Sequence, residues 1–94
     1  MFLVLLNYLK PISEIEKAVV EHRAFLQRYY DTNELICSGP QIPRTGGVIL
    51  SRCESKERLE KIISEDPFKI QNLAEYQIIE FDPVKKSASF EKCL

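Results

Sequence analysis

Leu35-Ile36-Cys37-Ser38-Gly39-Pro40, then Gln41 to Thr45, then Gly46-Gly47-Val48-Ile49-Leu50: this stretch sets how the rest of the chain must fold. Two short apolar runs flank a segment rich in Gly and Pro, the pattern of an antiparallel strand pair joined by a short connection. Working outward, each side carries one helical pattern and, beyond it, one further strand. The order is strand, helix, strand, strand, helix, strand. Such an order predicts an α+β domain with a four-stranded antiparallel sheet.

On the N-terminal side, Phe2-Leu3-Val4-Leu5-Leu6-Asn7-Tyr8-Leu9 is apolar at both alternating sets of positions. A strand covered on one face only would not tolerate that, so this strand is expected at the sheet centre. In a two-layer domain the helices cover one sheet face, and the other must meet the C-terminal tail or another chain; a second copy, giving a homodimer, is the favoured answer. Pro11 ends the strand and Ser13 is expected to cap the helix that follows. Ile15, Val19, His22, Leu26 and Tyr29 step by 4, 3, 4 and 3 along one helix face, which puts His22 in the middle of an apolar stripe. Asn33, tolerant of the left-handed conformation, closes the helix.

On the C-terminal side, Ser55 is expected to cap a second helix whose inward positions are Leu59, Ile62 and Ile63, and the same spacing carries Asp66 onto the inward face at the helix end. Pro67 stops that helix. Glu75 to Asp82 reads as the last strand, ended by Pro83. Residues 1–83 are thus expected to form the domain and residues 84–94 a tail in which only Phe90 has much to dock.

Composition excludes several classes of function. Apolar residues at 45% and charged residues at 29% describe an ordinary globular chain, and a net charge of −1 gives no electrostatic footprint for nucleic acid or an anionic membrane. The apolar start is too short to span a bilayer and has no basic leader or small-residue cleavage site, so a cytoplasmic location is expected. Cys37, Cys53 and Cys93 are an odd number without CxxC spacing, so reduced, mostly buried thiols are expected rather than disulfides. With a single His and scattered Cys no metal site is expected, and no cofactor motif stands in the chain. GxSxG, Walker, Rossmann and HExxH patterns are all missing, which removes the hydrolase, kinase and nucleotidase readings.

Two residues carry the candidate chemistry. His22 on an apolar stripe is either a core histidine satisfied by a carbonyl or a general base. Asp66 before Pro67 is either the cap of a short helix through Phe68 to Leu73 or the partner of that base. The conjunction favours chemistry: two inward titratable groups on the two helices covering one sheet face can meet, and a carboxylate fixes the tautomer and orientation of an imidazole. Ser38 and Gly39, where the second strand ends, are candidate substrate-binding residues, although a Ser before Gly also suits a turn. Arg44 in the connection either attracts an anion or is simply solvated.

Glu21-His22-Arg23-Ala24-Phe25-Leu26, Leu35 to Pro40, Gly46 to Leu50 and Asp66-Pro67-Phe68, in this order and at these separations, resemble the YCII-related (YciI-like) family over roughly Met1 to Asp82. The resemblance implies a ferredoxin-like fold that pairs as a dimeric α+β barrel, related to muconolactone isomerases and to a dehydrochlorinase acting on chlorinated hydroxyquinols. It also implies a His-Asp active-site pair, which maps onto His22 and Asp66, with Ser38 lining the same pocket. The family's often short and acidic hairpin loop is here Gln41-Ile42-Pro43-Arg44-Thr45, so no ligand contact from it carries over. Two functions are therefore expected to compete: proton-transfer chemistry, isomerisation or elimination, on a small cyclic or aromatic compound, and a non-catalytic module for small-ligand binding or dimerisation. They separate on whether His22 faces a solvent-reachable cavity with Asp66 in reach.

Overall fold

The computed structural model describes residues 1–94, arranged as β1 (Phe2–Tyr8), α1 (Ile12–Asp31), β2 (Leu35–Pro40), β3 (Gly46–Ser51), α2 (Lys56–Ile63), α3 (Pro67–Ile70), β4 (Ala74–Glu80) and α4 (Ala88–Glu91). The four strands form one antiparallel sheet in the order β2-β3-β1-β4, the ferredoxin-like arrangement, with β1 inside it. Both apolar sets of β1 find a use. Phe2, Val4 and Leu6 are buried beneath the helices with Ile15, Phe25, Leu26, Ile49, Leu59 and Ile62. Leu3 and Leu5 point the other way, in register with Leu50 and Val48 on β3 and with Ile79 and Gln77 on β4. This second face carries no helix, and Ile79 and Phe81 remain 38% and 41% exposed on it or at its edge.

Helix α1 begins earlier than expected. Pro11, not Ser13, is the residue at its N-cap: the Pro11 carbonyl accepts from the Glu14 and Ile15 amides at 2.9 and 3.2 Å, and no side chain caps the helix. Proline suits the start of a helix because it has no amide proton to leave unpaired. Thr32 and Asn33 end α1, Asn33 with φ of 66°. Ser55 caps α2 by accepting from the Arg58 amide. The last strand runs Ala74–Glu80, a little earlier than the expected Glu75 to Asp82, because Asn72, with φ of 56°, turns the chain directly after α3. Of the three free cysteines only Cys53 is buried; Cys37 is exposed and Cys93 half-buried, so the expectation of mostly buried thiols fails. Cys37 is on the short edge strand, facing the uncovered side of the sheet.

Pairing between β2 and β3 is irregular between Leu35 and Cys37: Leu35 sits opposite Ser51 but Cys37 opposite Leu50, which leaves Ile36 unpaired as a bulge. One extra residue reverses the alternation of faces. Leu35 therefore points into the core, and Ser38, three residues later, points to the same helix-covered side, opposite Ile49. At the other end of the hairpin, a Cβ on Gly46 would come within 1.8 Å of the Leu6 carbonyl oxygen. Only glycine allows β1 and β3 to approach so closely there.

Candidate functional site

Between α1 and the β2–β3 hairpin lies a cavity of about 420 Å³, floored by Leu6 and Ile49 and walled by Val19, Leu26 and Phe68, with His22, Arg23, Ser38 and Gly39 among its polar or backbone lining. Val19 and His22 are only half-buried on the α1 stripe because this space lies under them, whereas Ile15, Ala18, Phe25 and Leu26 of the same helix are packed.

The His22 Nδ1 donates to Asp66 Oδ1 across 2.7 Å, and the two side chains are 14% and 0% exposed. Asp66 is a helix cap as well as a partner. Its Oδ1 also accepts from the Phe68 amide at 3.0 Å, closing the N-terminus of α3, and its Oδ2 accepts from the Tyr76 hydroxyl at 2.5 Å. The expectation that Asp66 ends the second helix needs correcting: α2 stops at Ile63 with Ser64 as its C-cap, and Asp66 faces the favourable, positive end of the next helix rather than the negative end of α2. Three donors on one fully buried carboxylate supply what burying a charge requires. Burial first, and then the charge and hydrogen bond of Asp66, raise the pKa of Tyr76 well above the usual phenol range, so Tyr76 acts here as a fixed donor.

With Nδ1 bound to Asp66, Nε2 is the unpaired nitrogen of the His22 ring and makes no hydrogen bond within the chain. Phe68 stacks flat on the imidazole, centroids 3.9 Å apart and planes within 1°, and Tyr8 packs edge-on against Phe68 at 6.3 Å. The ring is held on one edge by a carboxylate and on one face by an aromatic side chain, leaving its other edge free for a ligand.

Ser38 and Gly39 line the same cavity. The Ser38 hydroxyl is hydrogen-bonded to that of Tyr30 on α1, a pair that can present either a donor or an acceptor to the cavity. Gly39 offers backbone only, with open space around the position of a Cβ. Arg44 is paired with Glu16 of α1 across the mouth of the cavity, and its pKa is raised first by that hydrogen bond and then by Tyr8. No three His, Cys or carboxylate side chains converge as a metal site. No helix is long and apolar enough to cross a membrane.

Sequence reasoning missed Phe68, Tyr76 and Arg23 as parts of this site. Tyr76 had a signal, since it alternates with Ala74 and Ile78 on the helix-covered face of β4, where a hydroxyl among apolar neighbours needs a partner. Phe68 was visible only as the third residue of Asp66-Pro67-Phe68, with nothing local to foretell a stack on His22.

The family model of the YCII-related domain matches residues 1–82. The chain belongs to the YCII-related family. Among solved structures, this YCII-related chain is similar to 5-chloro-2-hydroxyhydroquinone dehydrochlorinase from Burkholderia phenoliruptrix AC1100, determined as a complex with 2,5-dihydroxybenzoquinone. The two share 16% sequence identity with a TM-score of 0.72, over 87% of this chain and 94% of the other, which establishes likeness of fold. No curated protein sequence matches the chain significantly.

Proposed function

We propose that this YCII-related protein is an acid/base enzyme that isomerises, or eliminates a leaving group from, a small cyclic or aromatic compound, with His22 as general base and Asp66 holding it. The observation that carries this reading is the 2.7 Å bond from His22 Nδ1 to a fully buried Asp66, which leaves Nε2 unpaired on a residue that lines an open cavity. A histidine merely satisfied in the core would have both nitrogens engaged or sealed.

In the proposed step, Nε2 takes a proton from a ring carbon activated by a neighbouring carbonyl, and the C–H electron pair moves into the ring as an enolate. The imidazolium that forms is balanced by Asp66 and sits against the face of Phe68. Return of the proton to a different carbon is isomerisation. Departure of an anion from the adjacent carbon is elimination, after which the imidazolium releases its proton to water. Ser38, with Tyr30 behind it, and the Gly39 backbone would bind the ring's oxygens. The dehydrochlorinase of like fold acts on a hydroxylated ring, as its name says, which fits this substrate class.

A homodimer completes the proposal. Leu3, Leu5, Val48, Leu50 and Ile79 present one apolar surface on the uncovered sheet face, and a second copy laid against it would bury on the order of 2,000 Å² in total, the scale of a stable homodimer.

The test uses 2,5-dihydroxybenzoquinone in D2O with binding followed by thermal shift and ring-proton exchange by NMR. Wild type is expected to bind it and to accelerate exchange, and His22→Ala to bind it without acceleration. Binding with equal exchange in both would replace the enzyme reading by that of a ligand-binding module.

A further inference from the structure

The cavity has a charge that the proton-transfer chemistry does not use. Of the side chains lining it, Arg23, Arg44 and Glu16 are charged. Arg44 and Glu16 neutralise one another. Arg23 forms no ion pair, hydrogen bond or aromatic contact with any residue of the chain, and it follows His22 directly on α1. The cavity therefore holds one uncompensated positive charge in a protein whose net charge is −1. Besides the uncharged polar groups of His22, Ser38 and Tyr8, the walls are largely aliphatic or aromatic, with Leu6, Val19, Leu26, Ile49 and Phe68 among them. A volume of about 420 Å³ is at the small end of ligand pockets, enough for one substituted ring.

We infer that the pocket selects a single-ring compound bearing one anionic group, a carboxylate or an ionised enol, bound by the guanidinium of Arg23 while the ring lies against Phe68 and the aliphatic floor. The inference rests on the reading of this cavity as the substrate site. A neutral ring would leave the guanidinium to water, and a cationic one would meet it as a like charge. An anionic ring gains a charge-assisted and potentially bidentate hydrogen bond, which Arg forms better than any other side chain. The placement also suits the reaction, because the negative charge that enters the ring when Nε2 removes a proton develops beside Arg23. Arg44, already engaged by Glu16, closes the mouth and is not the anion's ligand.

The experiment compares a matched pair of probes, 2,5-dihydroxybenzoate and 2,5-dihydroxybenzamide, at pH 7.5 and low salt, with dissociation constants from NMR titration of the amide resonances. Wild type is expected to prefer the acid by about threefold to fivefold at low salt, the upper range of one ion pair made by an exposed side chain. Arg23→Gln, an exposed change that should fold normally, is expected to abolish the preference and leave the affinity for the amide unchanged; the double variant Glu16→Gln/Arg44→Gln, which removes both members of a neutral pair and so leaves the cavity charge as it was, is expected to keep the preference within about twofold. Raising the salt should shrink the preference in wild type and leave Arg23→Gln unaffected. Equal binding of acid and amide by wild type, or a preference that survives Arg23→Gln or disappears in Glu16→Gln/Arg44→Gln, overturns the assignment to Arg23 while leaving the role of His22 standing. Failure of both probes to perturb the cavity resonances overturns the inference together with the substrate-pocket reading beneath it.

Discussion

Asp66 is the residue where fold and candidate chemistry meet, and two substitutions there should separate its roles. In Asp66→Ala the Phe68 amide loses its cap, worth about 1 kcal/mol, and the Tyr76 hydroxyl is stranded in a buried site, worth about 1–3 kcal/mol more. His22 adds little, because its ring can recruit water from the cavity. The sum is about 2–4 kcal/mol, a large part of the 5–15 kcal/mol that holds a domain of this size together. At about 4–8 °C per kcal/mol, the midpoint of thermal unfolding should fall by about 8–32 °C. Asp66→Asn should behave differently. Asn is as good a cap as Asp, its amide oxygen can still accept from the Phe68 amide and from His22, and its NH2 can donate to a Tyr76 oxygen that turns from donor to acceptor. The cost should stay near 1 kcal/mol or less, but the negative charge that would stabilise the imidazolium is gone, and proton exchange of the quinone probe should slow by at least about 100-fold. Urea unfolding followed by circular dichroism at fixed protein concentration reads the first quantity, and the exchange assay the second. Asp66→Ala within about 0.5 kcal/mol of wild type, the range of a neutral surface change, would refute the three-donor description. Asp66→Asn as unstable as Asp66→Ala would refute the division between charge and acceptor.

Gly46→Ala should destabilise by about 1–3 kcal/mol, as overpacking does, because the obstacle to its Cβ is the Leu6 backbone oxygen, whereas Gly47→Ala, whose nearest neighbour is at 3.4 Å, should be close to neutral in the same urea assay. Glu34 accepts from Arg58 through both of its oxygens, at 2.7 and 3.0 Å, and chiefly that bond holds its pKa below the ordinary 4.5; the stabilisation is therefore fully present above pH 4.5 and lost as pH falls through the depressed value, so the gap in thermal midpoint between wild type and Glu34→Gln should be constant near neutrality and close in acid. Leu5→Glu, on the uncovered sheet face, should turn the proposed dimer into a folded monomer by light scattering with unchanged far-ultraviolet circular dichroism, and a wild-type monomer at micromolar concentration would remove the dimer from the proposal.

Short-range pattern carries one part of this protein. The doubly apolar run of Phe2 to Tyr8 required the centre of a sheet, the Gly- and Pro-rich connection after Pro40 required a hairpin, and the 3-and-4 spacing from Ile15 to Tyr29 put His22 on the inner face of α1, because alternation and helical period are properties of neighbouring residues. Ser55 and Asn33 were legible for the same reason: caps are satisfied within a few residues. Tertiary structure decided the rest. The bond between His22 and Asp66 joins residues 44 apart, and spacing along α2 alone pointed to the wrong helix end for Asp66; only the break after Ile63 and the restart at Pro67 gave it a cap and a partner at once. The bulge at Ile36 turned Ser38 toward the cavity, although strict alternation from Leu35 would have turned it away. Tyr76 became the second support of Asp66 because pairing of β4 with β1 sets it opposite Leu6, beneath the helices. Likewise the solitude of Arg23 is a statement about every other acidic group in the chain. No local pattern carries it, since whether a charge is compensated depends on distances that exist only once the chain has folded.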